Sequence, residues 1–216
     1  MDDDLDALVR RVDPDRWLSS RFIGDAQARA DVVALYAYDH ELARAPKVAS
    51  NPLLGEIRLT WWREVLDEAY EGRHVRHHPT AQALAAAIAR RSLPRAPLEA
   101  MIDARYRELD AAPMDEAEAL EWARGTGGQA AEAAVRILDP AADPARAAAA
   151  GAVWMLGRGE PKPGLGAVAA AARADARALS AAAFPAVAHA TLALHPARSE
   201  LGRRLRLTWA VAIGRI

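Results

Sequence analysis

The chain of 216 residues contains no cysteine, so it needs no oxidising compartment to fold and offers no thiolate to a metal. Aromatic residues make up only 6 %, and much of the 52 % apolar content is alanine. Strong strand formers are therefore sparse and helix formers abundant. No segment reaches the roughly 18 to 20 uninterrupted apolar residues of a membrane span; the longest candidate, Ala147 to Gly157, is short and rich in alanine. Neither sign of charge dominates. With 28 Lys and Arg against 29 Asp and Glu the net charge is −1, which excludes a global basic field drawing the chain to nucleic acid. The opening MDDDLDALVRRVDPD is acidic where a secretory signal would be basic and then apolar, so a cytoplasmic location is expected. What these absences leave is an all-α protein, expected as one domain over residues 1–216 with a substantial core.

Helix punctuation recurs along the chain. Asp13 and Pro14 read as N-cap and first residue of a short helix ending near Gly24. A long helix follows from Ala26 to Ala45, kinked or ended by Pro46. Ser50 and Pro52 reopen a helix that Gly72 closes, and Pro79 begins another to about Arg91. The pattern then predicts helices over Leu98–Leu109, from Asp115 toward Leu138 with interruptions at Gly125, Gly127 and Gly128, and from Asp143–Pro144 to Gly157. GRGEPKPGLG, residues 157–166, holds four glycines and two prolines and reads as a loop. Three further helices are expected over residues 167–216, at Ala167–Ala183, Pro185–His195 and Arg198–Ile216.

The most informative stretch is RADVVALYAYDHELARAPKVASNPLLGEIRLTWWR, Arg29 to Arg63. It resembles the squalene/phytoene synthases, in which "R-x-x-x-x-A-L-Y-A-F" runs on into "C-R-x-x-D-D-x-x-D". Arg29, Ala34, Leu35, Tyr36, Ala37 and Tyr38 fit the first part. At the positions of the three aspartates stand Ala43, Arg44 and Lys47. In the family those carboxylates hold Mg²⁺ against a prenyl diphosphate, whose departure needs its developing charge neutralised. Residues four apart share a helix face, so replacing that pair with Ala43 and Lys47 turns an acidic rim neutral or basic. Asp39 lies one turn earlier on the same face, where it is a candidate displaced ligand.

The resemblance continues through RLTWWREVLDEAYEG, HPTAQALAAAI, LPRAPLEAMIDARYRELD ending at Asp110, and LEWARGTGGQAAEAAVRIL, which carries Trp122 and Gly128. It covers roughly residues 16–158 in order and spacing. The family's second acidic motif, "N-I-L-R-D-V-x-E-D", falls on MLGRGEPKPG, where Arg158 matches while Gly159, Lys162 and Pro163 replace or approach the acids. After Gly157 the chain is shorter than the family's enzymes. The segment AYDHELA is also similar to that of a noncatalytic branch which includes a mitochondrial assembly factor of respiratory complex I, with Glu41, Leu42 and Ala43 matching.

The resemblance implies an isoprenoid-synthase-like helical bundle, shortened at the C-terminal side, and three functional readings. The leading one is a noncatalytic binding or assembly protein without catalytic or metal-binding residues and without a cofactor, partnered by a respiratory or lipid-linked membrane complex. The second is a prenyl transferase, condensing farnesyl or geranylgeranyl diphosphate head to head with Mg²⁺ on rearranged ligands at Asp39, Glu41, Asp110 and Glu160. The third is a metal-free binder of an isoprenoid or lipid diphosphate, clasped by Arg44, Lys47 and Arg158. Tyr36, Asp39, Tyr106, Asp110 and Gly128 complete the candidate lining.

Other features carry weaker signals. His74, His77 and His78 are close in sequence but read as a solvated turn rather than a metal site. Trp61 and Trp62 diverge by about 100° on a helix, so one is expected in the core and the other, Trp62, at a contact surface. Leu205, Trp209 and Ile213 form a stripe at four-residue spacing, with Arg203, Arg204, Arg206 and Arg215 mostly off it. The expected arrangement is a terminal helix covering its own core; the alternative is peripheral contact with an anionic membrane, at the inner membrane, or with a partner.

Overall fold

The computed structural model describes residues 2–47, 51–158 and 165–216. These residues form twelve α-helices, three short 3₁₀ or π segments and no strand, so the all-α expectation holds. No described helix is long and apolar enough to cross a membrane.

α1 (Asp2–Val12) is a helix that charge alone does not announce. Its signal is the spacing of Leu5, Leu8, Val9 and Val12, of which Leu5 and Val9 are buried. α2 (Pro14–Ser20) begins as expected, with the Asp13 carboxylate accepting from the Arg16 backbone N–H at 3.2 Å and Pro14 filling the first turn.

α3 (Ala26–Lys47) is the central column. Residues Asp31 through Asp39 are buried without a break, which happens only to a helix packed on every side. Its neighbours are α1, α4 (Pro52–Tyr70), α5 (Pro79–Arg91), α6 (Arg95–Tyr106) and α8 (Gln129–Leu138). Polar side chains pin it at two heights: Tyr38 donates to the Leu98 carbonyl of α6 at 2.9 Å, and buried Asp31 accepts from Arg90 and Arg91 of α5. Pro46 sits in the last described turn rather than ending the helix before it. The cap of α4 is Asn51, whose side chain accepts from the Leu54 N–H at 3.0 Å; Ser50 lies outside the described residues.

α7 (Glu116–Ala123) opens with a capping box between Asp115 and Glu118 and leads into a π turn, Arg124–Gly128, before α8. The turn lays Gly127 against Gly151 of α9 (Ala145–Gly157), so closely that a Cβ on either would collide with the other's carbonyl oxygen. α9 is the second hub, packing on α7, α8, α10 (Leu165–Ala176) and α11 (Ala190–Leu194).

Beyond α9 the expectations hold less well. Gly157 ends α9 as the loop reading requires, and residues 159–164 lie outside the described residues. α10 stops at Ala176, and Pro185–His195 is a 3₁₀ turn followed by a single short helix. Tertiary contacts override helix propensity here: the Ser19 hydroxyl donates to the Pro185 carbonyl at 2.6 Å, and Ala186, Val187 and Ala188 are fully buried. α12 (Glu200–Ile213) starts at the Ser199 cap and ends at left-handed Gly214. It corrects the expected arrangement, because Leu205, Trp209 and Ile213 face outward and α12 packs instead through Leu207 and Ala210. Trp61 and Trp62 do part company, but Trp62 is the buried one, edge-on to Tyr38, while Trp61 sits half-buried under Arg76.

The Gly127–Gly151 contact leaves no space to relax. Gly151→Ala should lower the free energy of unfolding by about 2 kcal/mol or more, the cost of overpacking against rigid backbone, read as a fall in the urea midpoint with helical content retained.

Candidate functional site

Asp39 occupies a helix face that is otherwise apolar, and an ionised carboxylate there must be paired or expelled. It is paired twice. Arg16 of α2 donates to one oxygen at 2.5 Å and Arg105 of α6 to the other at 2.7 Å, and all three side chains are almost wholly buried. Burial pushes the Asp39 carboxyl up, but Arg105 and Arg16 outweigh it and hold the group well below the usual carboxylate range.

The pairing propagates in both directions. Arg105 also donates to Glu108 at 2.6 Å, and Glu108 accepts from the Trp122 indole at 2.8 Å. Arg16 is capped by Asp13, whose second oxygen accepts from Arg158 at the end of α9 at 2.9 Å. A line of alternating charge thus runs from Arg158 through Asp13, Arg16, Asp39 and Arg105 to Glu108, joining segments distant in the chain.

This line borders a cavity of about 550 Å³. Asp13, Asp39 and Glu108 contribute three negative charges to its lining, and Lys47, Arg105 and Arg158 three positive ones. Apolar surface comes from Ala43, Met114, Met155 and Leu156.

Of the residues singled out in the sequence, the fold brings Asp39, Lys47 and Arg158 to this cavity. Arg44 does not join them: it is exposed, pairs with Glu41 at 3.1 Å and lines a different hollow with Trp61 and His78. Tyr36 is buried beneath Arg16, whose guanidinium carbon is 5.0 Å from the ring centroid, and desolvation drives its hydroxyl far above the ordinary tyrosine range. Tyr106 approaches Thr60 at 3.5 Å, and Asp110 is an exposed turn carboxylate accepting from the Ala112 N–H. The segment contributes Arg105 and Glu108 to the lining instead. Gly128 is buried against the backbone of Ala148 and does not line the cavity.

Sequence reasoning missed Arg16, Arg105, Glu108 and Asp13. The signal was an acid, Asp39, at the end of the apolar run of α3, which demands a buried cation somewhere in the chain. It also missed His189, fully buried between Tyr36 and Trp154 with ring centroids 6.1 and 5.1 Å away. Desolvation, reinforced by Arg16 and Arg158, holds His189 neutral. Its Nδ1, the Tyr36 hydroxyl and the Trp154 indole N–H have no protein hydrogen-bond partner, an arrangement that suits ordered water.

A sequence model described as squalene/phytoene synthase matches residues 9–157. The chain belongs to the squalene/phytoene synthase family. That match spans α3, the π turn and α9, so the cavity with its buried ion pairs is built almost entirely from the family's own segment. Among curated proteins, the chain is similar to NADH dehydrogenase (ubiquinone) complex I, assembly factor 6: 31 % identical over 103 residues for the Bos taurus protein and 30 % over 103 residues for the Homo sapiens one. The match covers 48 % of this chain and 30 % of each of those relatives.

The residues at the cavity do not fit the Mg²⁺ that the family resemblance implies. Magnesium takes oxygen ligands in octahedral array, usually including one or two free carboxylates. Here each lining carboxylate is already held by a guanidinium, and the positions on the adjoining turns of α3 carry a methyl group, Ala43, and an ammonium, Lys47. Among the described residues no three His, Asp or Glu side chains gather in a metal-holding cluster, His74, His77 and His78 included. His78 instead packs on Trp61 and Trp62.

Asp39→Asn leaves two buried guanidinium groups short of a counter-charge and should cost about 3 to 5 kcal/mol at pH 7. Because the folded-state carboxyl titrates below its unfolded value near 3.9, the Asp39 contribution is complete above about pH 4. It declines as pH falls further, by about 1.4 kcal/mol per pH unit. Urea midpoints of the two proteins should therefore differ most near neutrality and converge below pH 4.

Proposed function

We propose that this protein is a noncatalytic member of the squalene/phytoene synthase family, serving as a binding or assembly protein for a respiratory membrane complex. The observation that carries the reading is the double capture of Asp39. The carboxylate one turn before Ala43 on the same helix face is spent on holding α2, α3 and α6 together. Ionising a prenyl diphosphate requires positive charge delivered at the leaving oxygens, and loss of a single preorganised group of that kind typically costs roughly 100- to 1000-fold in rate. With Ala43, Arg44 and Lys47 where three acids would stand, little of that chemistry survives. The partner class is suggested by the printed name of the curated relatives, complex I assembly factor 6, and is extended to this chain as a proposal because they align over less than a third of their length.

The prenyl transferase reading finds little support. Of its four rearranged ligands, Asp39 is paired to two arginines, Glu41 faces away with Arg44, and Asp110 is exposed in a turn. Glu160 lies outside the described residues. One observation favours metal-free binding of an anionic lipid head group: the cavity of about 550 Å³ carries Lys47 and Arg158 beside Met114, Met155 and Leu156. In that version Arg44 takes no part.

Incubation of the purified protein with Mg²⁺ and farnesyl or geranylgeranyl diphosphate should release no pyrophosphate and yield no coupled hydrocarbon, and subunits of respiratory complex I should co-purify with it from native membranes. Steady turnover would refute the noncatalytic reading. Metal-free ligand binding predicts a rise in melting temperature with farnesyl diphosphate that EDTA leaves intact and Lys47→Ala with Arg158→Ala abolishes.

A further inference from the structure

The described surface carries a row of large apolar side chains with no protein partner. On α12, Leu201, Leu205, Trp209 and Ile213 follow one another at four-residue intervals and are 67, 61, 67 and 42 % exposed. Single exposed apolar residues are ordinary, but a continuous stripe of about three turns marks a contact surface. The opposite face of α12 holds it to the body through Leu207 and Ala210, so the stripe cannot turn inward without unseating the helix.

Charge identifies what the stripe meets. A groove of about 530 Å³ runs beside it, lined by Arg173 and Arg177 of the α10 end and by Arg206 and Arg215, with Trp209 and Ile213 forming its apolar floor. No Asp or Glu side chain lines this groove; Glu200, in the first turn of α12, is paired with Arg204 at 2.5 Å. In a chain of net charge −1 such a gathering is local. At about 100° per residue, Arg204 and Arg206 fall on the two borders of the stripe. Long cationic side chains bordering an apolar strip centred on tryptophan are what a helix lying in a lipid head-group layer requires: the strip enters the acyl boundary while the guanidinium groups reach outward to phosphates.

We propose that the outer face of α12, together with the arginine-lined groove, docks on a bilayer containing anionic lipid. The surface lies outside residues 9–157, so the inference does not depend on how the cavity is read.

Co-sedimentation of the full chain with vesicles tests it. The protein should pellet with phosphatidylcholine containing about 30 % phosphatidylglycerol, stay in solution with phosphatidylcholine alone, and be released as salt shortens the screening length. Leu205→Glu with Trp209→Glu should lower the bound fraction about tenfold or more, and Arg206→Glu with Arg215→Glu about tenfold, since each cation near an anionic surface contributes several-fold. Circular dichroism and melting temperature should be unchanged in the first pair, whose side chains face solvent. Absence of binding to the anionic vesicles, equal binding to both lipids, or binding indifferent to the Leu205 and Trp209 replacements would overturn the proposal. So would light scattering that shows a dimer dispersed by Trp209→Glu, which would give the stripe to a second copy.

Discussion

The carboxylate of Asp39, shared between Arg16 and Arg105, is the constraint around which the rest of this protein is arranged. Three helices from different parts of the chain meet at one buried charge, and none can move without exposing an ion to an apolar interior. Buried ion pairs are poor sources of net stability, because desolvation offsets most of the Coulomb attraction. What this one fixes is geometry: each oxygen of Asp39 accepts from a different guanidinium, Arg16 on one side and Arg105 on the other. The flanking pairs, Arg105 with Glu108 and Asp13 with Arg158, extend that geometry to the cavity walls and leave the net charge there close to zero.

This arrangement bears directly on the chemistry available. A metal-dependent prenyl synthase needs carboxylates whose charge is left over for cations; here the acids near the cavity are spent on the protein's own arginines. The same framework also leaves side chains free to present at the surface, and the exposed stripe of α12 is the longest such row among the described residues. Packing supports the same view. α9 and the π turn meet backbone to backbone at Gly127 and Gly151, a rigid junction in the middle of the bundle, while among the described residues the large apolar side chains left outside lie on α12 and at the start of α4, at Leu53, Leu54 and Ile57.

Much of the first two thirds was legible because local rules and tertiary needs agree there. Asp13–Pro14, Asp115 and Gly72 punctuate the chain where capping chemistry says they should, and the segment from Arg29 to Tyr38 carried the family resemblance. Past Gly157 the agreement fails. Alanine-rich stretches favour helix almost anywhere, so the stretch from Arg177 to Ala183 could not be distinguished from sequence as turn rather than helix. The difference is made by tertiary contacts such as Ser19 reaching Pro185 from the other end of the chain. For the candidate site, Lys47 and Arg158 were found because they occupy motif positions, and Asp39 because it lies one turn before Ala43 on the same face. Arg16, Arg105 and Glu108 were not, since nothing near them in sequence distinguishes a buried arginine from a solvated one.

By itself, then, the sequence determined the helical class, the family and the identity of the side chains at the positions where the resemblance expects metal ligands, because these rest on composition, periodicity and local spacing. The tertiary structure alone decided that Asp39 is captured from two sides, that Arg44 faces away from Lys47 and Arg158, and that α12 turns its apolar stripe outward. Each of those outcomes depends on which distant residues arrive at the same place, and that information is held in the packing of helices against one another rather than in any single segment.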